Sequence, residues 1–275
     1  MTVVPDREDF AAALAMVTSP RMGTELVGPL LRSLACLVRA ATVLEVGGGT
    51  TTLYLLDALA DIARTHESEL RMLEAKQRLY DPSWADDEGA AERAGGALLN
   101  WLEADPPLAL PEYYARPYRP LCVSVDNVSS PYSAASRLRD AAERAGLAHL
   151  LDQRFCDFRD LPSVLPDPEQ VFDLAWFDCG GYAEYRDFLD LYWDRVRADG
   201  GMLVMHYTLT VPNHERVLAE LESRRQTGSW GQFEMLSLLE PHKLMQNSVT
   251  LIRRTAGPPP RFPLTRGVSL ERSGG

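Results

Sequence analysis

Apolar positions along this chain switch between two spacings. Residues 23–40 place leucines at Leu26, Leu30, Leu31, Leu34 and Leu37, the spacing of an amphipathic helix. Val43-Leu44-Glu45-Val46 follows directly, and its β-branched and aliphatic residues predict a buried strand. After Gly47-Gly48-Gly49, Leu53, Leu55 and Leu56 open another helix, expected from about 51 to 64 and continued in helix-favouring residues to 80. An earlier helix over 6–17 ends at Thr18-Ser19-Pro20. Further strands are predicted over 121–126, 149–158, 171–178, 202–206, 233–239 and 248–253. Helices are predicted over 134–148, with Leu138, Ala141, Ala142, Ala145 and Leu147 on the buried side, and over 182–196 and 211–224. Strands alternating with helices predict an α/β fold, a doubly wound, mainly parallel sheet of seven strands.

Residues 65–118 interrupt this rhythm. Asp81-Pro82 and Asp86-Asp87-Glu88-Gly89 read as turns, 90–103 as a helix, and the aromatics are Trp84, Trp101, Tyr113, Tyr114 and Tyr118. Two readings stay open for this helical insertion: a surface excursion, or a lid over an acceptor pocket. The expected organisation is therefore N-terminal helices over 1–40, a main domain over 41–255 carrying the insertion, and a flexible tail over 256–275 with Arg261, Arg266 and Arg272. Residues 6–40 are open to three uses: ordinary core, a cover for a bound cofactor, or the face of a homodimer.

Composition narrows the class. The 275 residues suffice for one sizeable core, and 45% of them are hydrophobic. No apolar run approaches the roughly 20 residues that cross a bilayer, and the first residues lack the features of a signal peptide. Cys36, Cys122, Cys156 and Cys179 are far apart, which fits reduced, buried thiols better than zinc or disulfides. A cytoplasmic location is expected. The formal charge of -11 argues against nucleic acid or an anionic membrane as partner and leaves small molecules or peptides.

In a doubly wound sheet, ligands bind at the carboxyl ends of the strands. This chain places its three glycines, Asp126, Asp157 and Asp178 there. Gly47 and Gly49 allow positive φ and let a ligand lie against main chain. An acid after the second strand suits the two hydroxyls of a ribose, and one beside the third suits an exocyclic adenine amine. The glycines alone do not name the ligand.

Together these stretches resemble the class I S-adenosylmethionine (SAM)-dependent methyltransferases. Val-Leu-Glu-Val-Gly-Gly-Gly-Thr is similar to the family's first motif, Val125-Asp126 to the second, and Phe155-Cys156-Asp157-Phe158 to the adenine motif. Phe172-Asp173-Leu174-Ala175-Trp176-Phe177-Asp178 resembles the fourth, and Arg197-Ala198-Asp199-Gly200-Gly201-Met202-Leu203-Val204 the loop and fifth strand. The resemblance spans 23–254 and implies a Rossmann-like methyltransferase fold with SAM as cofactor. It implies that Glu45 takes the methionine ammonium, directly or through water, above Gly47 and Gly49. Asp126 would bind the ribose, Asp157 with Phe158 would frame the adenine, and Asp178 would lie near the sulfonium. Gly48, Thr50 and Asn127 complete the expected cofactor set. The gap from Glu45 to Asp126 exceeds the family's usual one, which makes 65–118 an insertion.

The catechol-type O-methyltransferases carry Asp-Asn after the fifth strand to hold magnesium, whereas this chain has His206-Tyr207. Metal-independent transfer to an O or N of a small metabolite or peptide is therefore expected, in the manner of a natural-product tailoring enzyme. His206 is the expected base or orienter, Tyr207 an orienting hydroxyl, and Asp178 a third member. Two alternatives stand beside this. A nicotinamide dehydrogenase needs a third glycine where Thr52 stands and an acid about 20 residues on. A non-catalytic SAM-binding protein would keep the glycines and acids without turnover.

Overall fold

The computed structural model describes residues 7–19, 23–79, 117–167, 169–209 and 214–255. Helices α1 (Arg7–Val17) and α2 (Val27–Val38) precede strand β1 (Thr42–Val46). Helix α3 (Thr50–Leu79) follows, then β2 (Leu121–Val125), α4 (Ala135–Arg144), β3 (Leu151–Arg154) and the single turn α5 (Leu161–Val164). The chain continues through β4 (Leu174–Phe177), α6 (Tyr182–Tyr192), β5 (Met202–His206), α7 (His214–Thr227), β6 (Gln232–Leu239) and β7 (Ser248–Thr255). The seven strands form one sheet in the order β3-β2-β1-β4-β5-β7-β6. Pairings among β1 to β5 are parallel, and β7 runs antiparallel between β5 and β6.

The expected elements are present with shifted ends. β5 coincides with the expected 202–206, and the residues expected on the inner side of α4 and beyond it (Leu138, Ala141, Ala142, Ala145, Leu147) are all buried. The strand expected over 149–158 shortens to Leu151–Arg154. Residues 80–116 of the insertion expected over 65–118, with the helix expected over 90–103, and the tail over 256–275 lie outside the described residues.

Strand alternation divides the core into two layers. Val43, Trp176, Val204 and Val249 face the layer containing Leu31, Leu53, Leu56 and Leu138. Leu44, Val46, Phe177, Met205 and Ile252 face the other, with Phe158, Phe188 and Tyr192. In α2 the buried positions are Val27, Gly28, Leu31 and Ala35. Leu26 and Leu37, expected on the apolar face, are 53% and 80% exposed. At the amino end of the sheet, Asp173 accepts hydrogen bonds from the amides of Ala41 (2.7 Å) and Thr42 (2.9 Å) and pairs with Arg197 (2.7 Å), fixing the start of β1.

The chain divides into two compact units, Met1–Ile62 with Arg119–Pro258 and Ala63–Tyr118 with Pro259–Gly275. Within the second, the His66 and Tyr118 rings stack at 5.4 Å.

Candidate functional site

The parallel ladder runs one residue past three strand ends. Gly47 N–H donates to the Val125 carbonyl (2.9 Å), Asp126 N–H to the Arg154 carbonyl (3.1 Å), and Asp178 N–H to the Val46 carbonyl (3.1 Å). Gly47, Asp126 and Asp178 therefore lie in one row along the carboxyl edge of the sheet. They border a cavity of about 540 Å³, within the range of small-molecule sites. Its wall includes Gly47, Gly48, Gly49, Thr50, Asp126, Asn127, Asp157, Phe158, Asp178 and Tyr207. Val17, Ser19, Thr24 and Gln246 also border it, so residues after α1 and the loop before β7 contribute wall that no motif announced.

The glycine turn is dictated sterically. Gly47 has φ +99°, and a Cβ there would meet the Asp178 carbonyl oxygen at 2.9 Å. A Cβ on Gly48 would meet Ser124 Oγ at 2.9 Å. The Gly48 amide donates to Asp126 Oδ2 (3.2 Å), which also accepts from Ser133 Oγ (3.1 Å), while Asp126 Oδ1 accepts from Val128 N–H (2.6 Å). These bonds hold the carboxylate at the cavity wall. Asn127 is exposed, its Oδ1 accepting from Ser129 N–H and Oγ. Thr50 Oγ1 donates to the Val17 carbonyl (3.2 Å), tying the end of α1 to the turn.

Glu45 does not reach the cavity wall. It is fully buried, accepting from Thr51 Oγ1 (2.6 Å), from Thr52 Oγ1 and from Ser124 Oγ (2.9 Å). This places Glu45 behind the glycine turn, where the resemblance implied contact with a ligand ammonium directly or through water. Burial pushes its carboxyl up to about 7, against the opposing pull of the three hydroxyls. Thr52, which stands where a dehydrogenase carries its third glycine, braces the turn from within. Its Oγ1 accepts from Gly49 N–H (2.9 Å) while donating to Glu45.

The expected acceptor group divides between wall and interior. Asp178 lines the cavity, and its Oδ1 lies 2.8 Å from His206 Nδ1. The proton is assigned to Nδ1, because a carboxylate offers only lone pairs. His206 itself is fully buried behind Asp178, between the rings of Trp176 (5.5 Å) and Tyr207 (5.0 Å). Its Nε2 is buried and has no partner among the described residues. His206, expected as base or orienter, therefore does not border the cavity and meets it through Asp178. Tyr207 has φ +39°, and its hydroxyl donates to the Gly180 carbonyl (3.3 Å). Burial and Asp178 raise the Tyr207 phenol far above its ordinary range, so it stays protonated.

Asp157 lies past β3, accepting from Arg159 N–H (2.9 Å) and from the Arg159 guanidinium (3.3 Å). Phe158 is 4% exposed and packs edge-on against Phe177 (5.4 Å) and Phe188 (6.1 Å). Arg159, Ser133 and Gln246 belong to none of the sequence motifs. Arg159 carries a visible signal even so, a lone basic residue directly after the Asp157-Phe158 pair. Cys156 and Cys179 also border the cavity, with thiols pushed up by burial. Among the described residues there is no cluster of three or more His, Cys, Asp or Glu able to hold a metal ion, and no helix long and apolar enough to cross a membrane.

No protein-family model and no curated relative matches the chain. Solved structures do. The O-methyltransferase TomG from Streptomyces achromogenes, involved in tomaymycin synthesis and solved with SAM, is 16% identical with a TM-score of 0.54, over 92% of each chain. Rv0187 from MTB, solved with bound cofactor, is 16% identical with a TM-score of 0.53, over 90% of each chain. An O-methyltransferase from Bacillus cereus, solved with S-adenosylhomocysteine (SAH), is 14% identical with a TM-score of 0.51, over 92% of this chain and 93% of that one. The strand order, the antiparallel β7 and these matches together show that this chain has the Rossmann-like fold of the SAM-dependent O-methyltransferases.

Proposed function

We propose that this protein is a SAM-dependent methyltransferase acting on an oxygen or nitrogen of a small molecule or peptide. The observation that carries the reading is the row of Gly47, Asp126 and Asp178 along one cavity wall, with Asp157 beside it. The residues fit the cofactor on their own chemistry. Asp178 and Ser124 exclude side chains at Gly47 and Gly48, which leaves bare backbone at the turn, and the acids match hydroxyls, an amine and a cation. Asp126 would hold the ribose hydroxyls, Asp157 the adenine amine, and the first turn of α3 would offer amides to the methionine carboxylate. Glu45 would act from beneath, through the turn it braces.

When bound, SAM supplies an electrophilic methyl group on a positively charged sulfur. The chain's contribution is orientation and proton removal. Asp178, the cavity-wall carboxylate bonded to His206, would align an acceptor O–H or N–H and take its proton. His206 is a positioning residue, holding Asp178 through Nδ1. Tyr207 stays protonated and fixes the Gly180 turn. Metal independence belongs to the same reading, since the residue at the end of β5 is engaged inside the protein with Asp178.

Calorimetric titration with SAM, SAH and NAD tests this, with Asp126→Ala alongside. Loss of charge-assisted ribose bonds is expected to weaken SAH about 100-fold, the effect of about 3 kcal/mol. SAH affinity unchanged in Asp126→Ala would move the ribose acid elsewhere. NAD binding in place of SAM would overturn the methyltransferase reading.

A further inference from the structure

The Arg159 guanidinium sits in a frame of carboxylates. Nε donates to Asp187 Oδ2 at 2.7 Å, Nη1 to Asp157 Oδ1 and Oδ2 at 3.3 and 3.4 Å, and Nη2 to Glu184 Oε1 at 3.5 Å. Guanidinium N–H bonds lie in the plane of the group, so these partners hold its edges and leave its two faces. One face meets Phe158, with Cζ 4.7 Å from the ring centroid. Phe158 is otherwise enclosed by Phe177 and Phe188, which leaves little of its ring for a ligand. Arg159 borders the same cavity, beside Cys156, Asp157 and Glu184, and offers a plane there.

We infer that the outward face of Arg159 is the stacking surface for a planar heterocyclic base, the adenine of the cofactor, so that Phe158, guanidinium and base lie in series. The inference rests on the cofactor reading above and deepens it. Arginine suits this role because its plane is delocalised and weakly hydrated, and it stacks on aromatic faces as an ammonium cannot. Its charge is already balanced by Asp157, Glu184 and Asp187, which argues against a role in binding an anion. The same three carboxylates stop the plane from rotating, so a base meets a preformed surface. Asp187 and Glu184 both belong to α6 and Asp157 to the loop after β3, so the clamp also fixes the distance between those two elements at the cavity.

The test compares SAH with its inosine analogue, in which an oxo group replaces the 6-amino group on an equally flat base. Calorimetry on the full chain is run for wild type, Arg159→Lys, Arg159→Met and Asp187→Ala, with melting curves for each. Stacking predicts that Arg159→Lys and Arg159→Met weaken both nucleosides by the same factor, about 10-fold, the typical worth of one stacked base. A loss confined to SAH would mean that Arg159 acts only by orienting Asp157 toward the amino group, and would overturn the inference. Unchanged affinity in both Arg159 variants would overturn it too. Should those variants fail to fold, Asp187→Ala decides: releasing Nε is expected to weaken both nucleosides about 3-fold, and no change refutes the clamp. If wild type binds neither nucleoside, the cofactor reading itself fails, which is a different result from any of these.

Discussion

Glu45 makes an unusual pH dependence part of this fold. Its carboxyl is fully buried and raised from 4.5 to about 7, chiefly because burial penalises the charge. Such a shift corresponds to about 3 kcal/mol between the two protonation states. The sign follows from which state holds the proton longer. As pH rises through 4.5 the unfolded chain releases the Glu45 proton, while the folded chain keeps it to about 7. This residue's contribution to stability therefore declines between those values and is constant above them. Glu45→Gln removes the ionisation but keeps an oxygen to accept hydroxyl bonds. Urea denaturation of both proteins at pH 5 and pH 8 is the assay. The wild type should lose about 2–3 kcal/mol relative to the variant between those pH values, other groups cancelling in the comparison. Parallel pH profiles would show that Glu45 is ionised throughout, held by Thr51, Thr52 and Ser124 strongly enough to offset burial. That result would refute the reasoning.

Three further outcomes follow from the site. Gly47→Ala places a Cβ 2.9 Å from the Asp178 carbonyl at φ +99°; a loss of about 1–3 kcal/mol in stability is expected, with SAH affinity reduced at least 10-fold, and unaltered melting would contradict the turn geometry. His206→Ala empties a fully buried position and removes the partner of Asp178, at an expected cost of about 2–4 kcal/mol by denaturation. His206→Asn retains an N–H able to reach Asp178 and should keep SAH affinity within about 3-fold; a loss as large as that of alanine would argue against a positioning role.

Much of the framework was legible because it is local. The run Val43-Leu44-Glu45-Val46 before three glycines specifies a buried strand and a turn, in which Gly47 alone of the three takes positive φ and Gly49 does not, and the face of α4 follows from helical period alone. Asp126 and Asp178 were readable as strand-end residues, since each follows an apolar run directly. The limit of this reasoning appears in the two acids of the 172–178 motif. Asp173 braces the amino edge of the sheet and Asp178 lines the cavity, a division set by which end of β4 each occupies.

What the sequence could not decide is direction and depth. Every residue of β5 is buried, so a period of two cannot tell which side is interior and which is site, and His206 falls behind Asp178 rather than beside it. Leu37 and Leu31 share an apolar spacing, yet only the packing of α2 into the core layer selects Leu31. Glu45 reads as a ligand residue until Thr51, Thr52 and Ser124, up to 79 positions away, are brought around it. Arg159 gains its frame only when α6 carries Glu184 and Asp187 to the end of β3. Local sequence determined the strands, the turn and the row of acids, because backbone sterics and burial act between neighbours. The tertiary structure alone decided which of those groups face the cavity, because that depends on which distant elements pack against them.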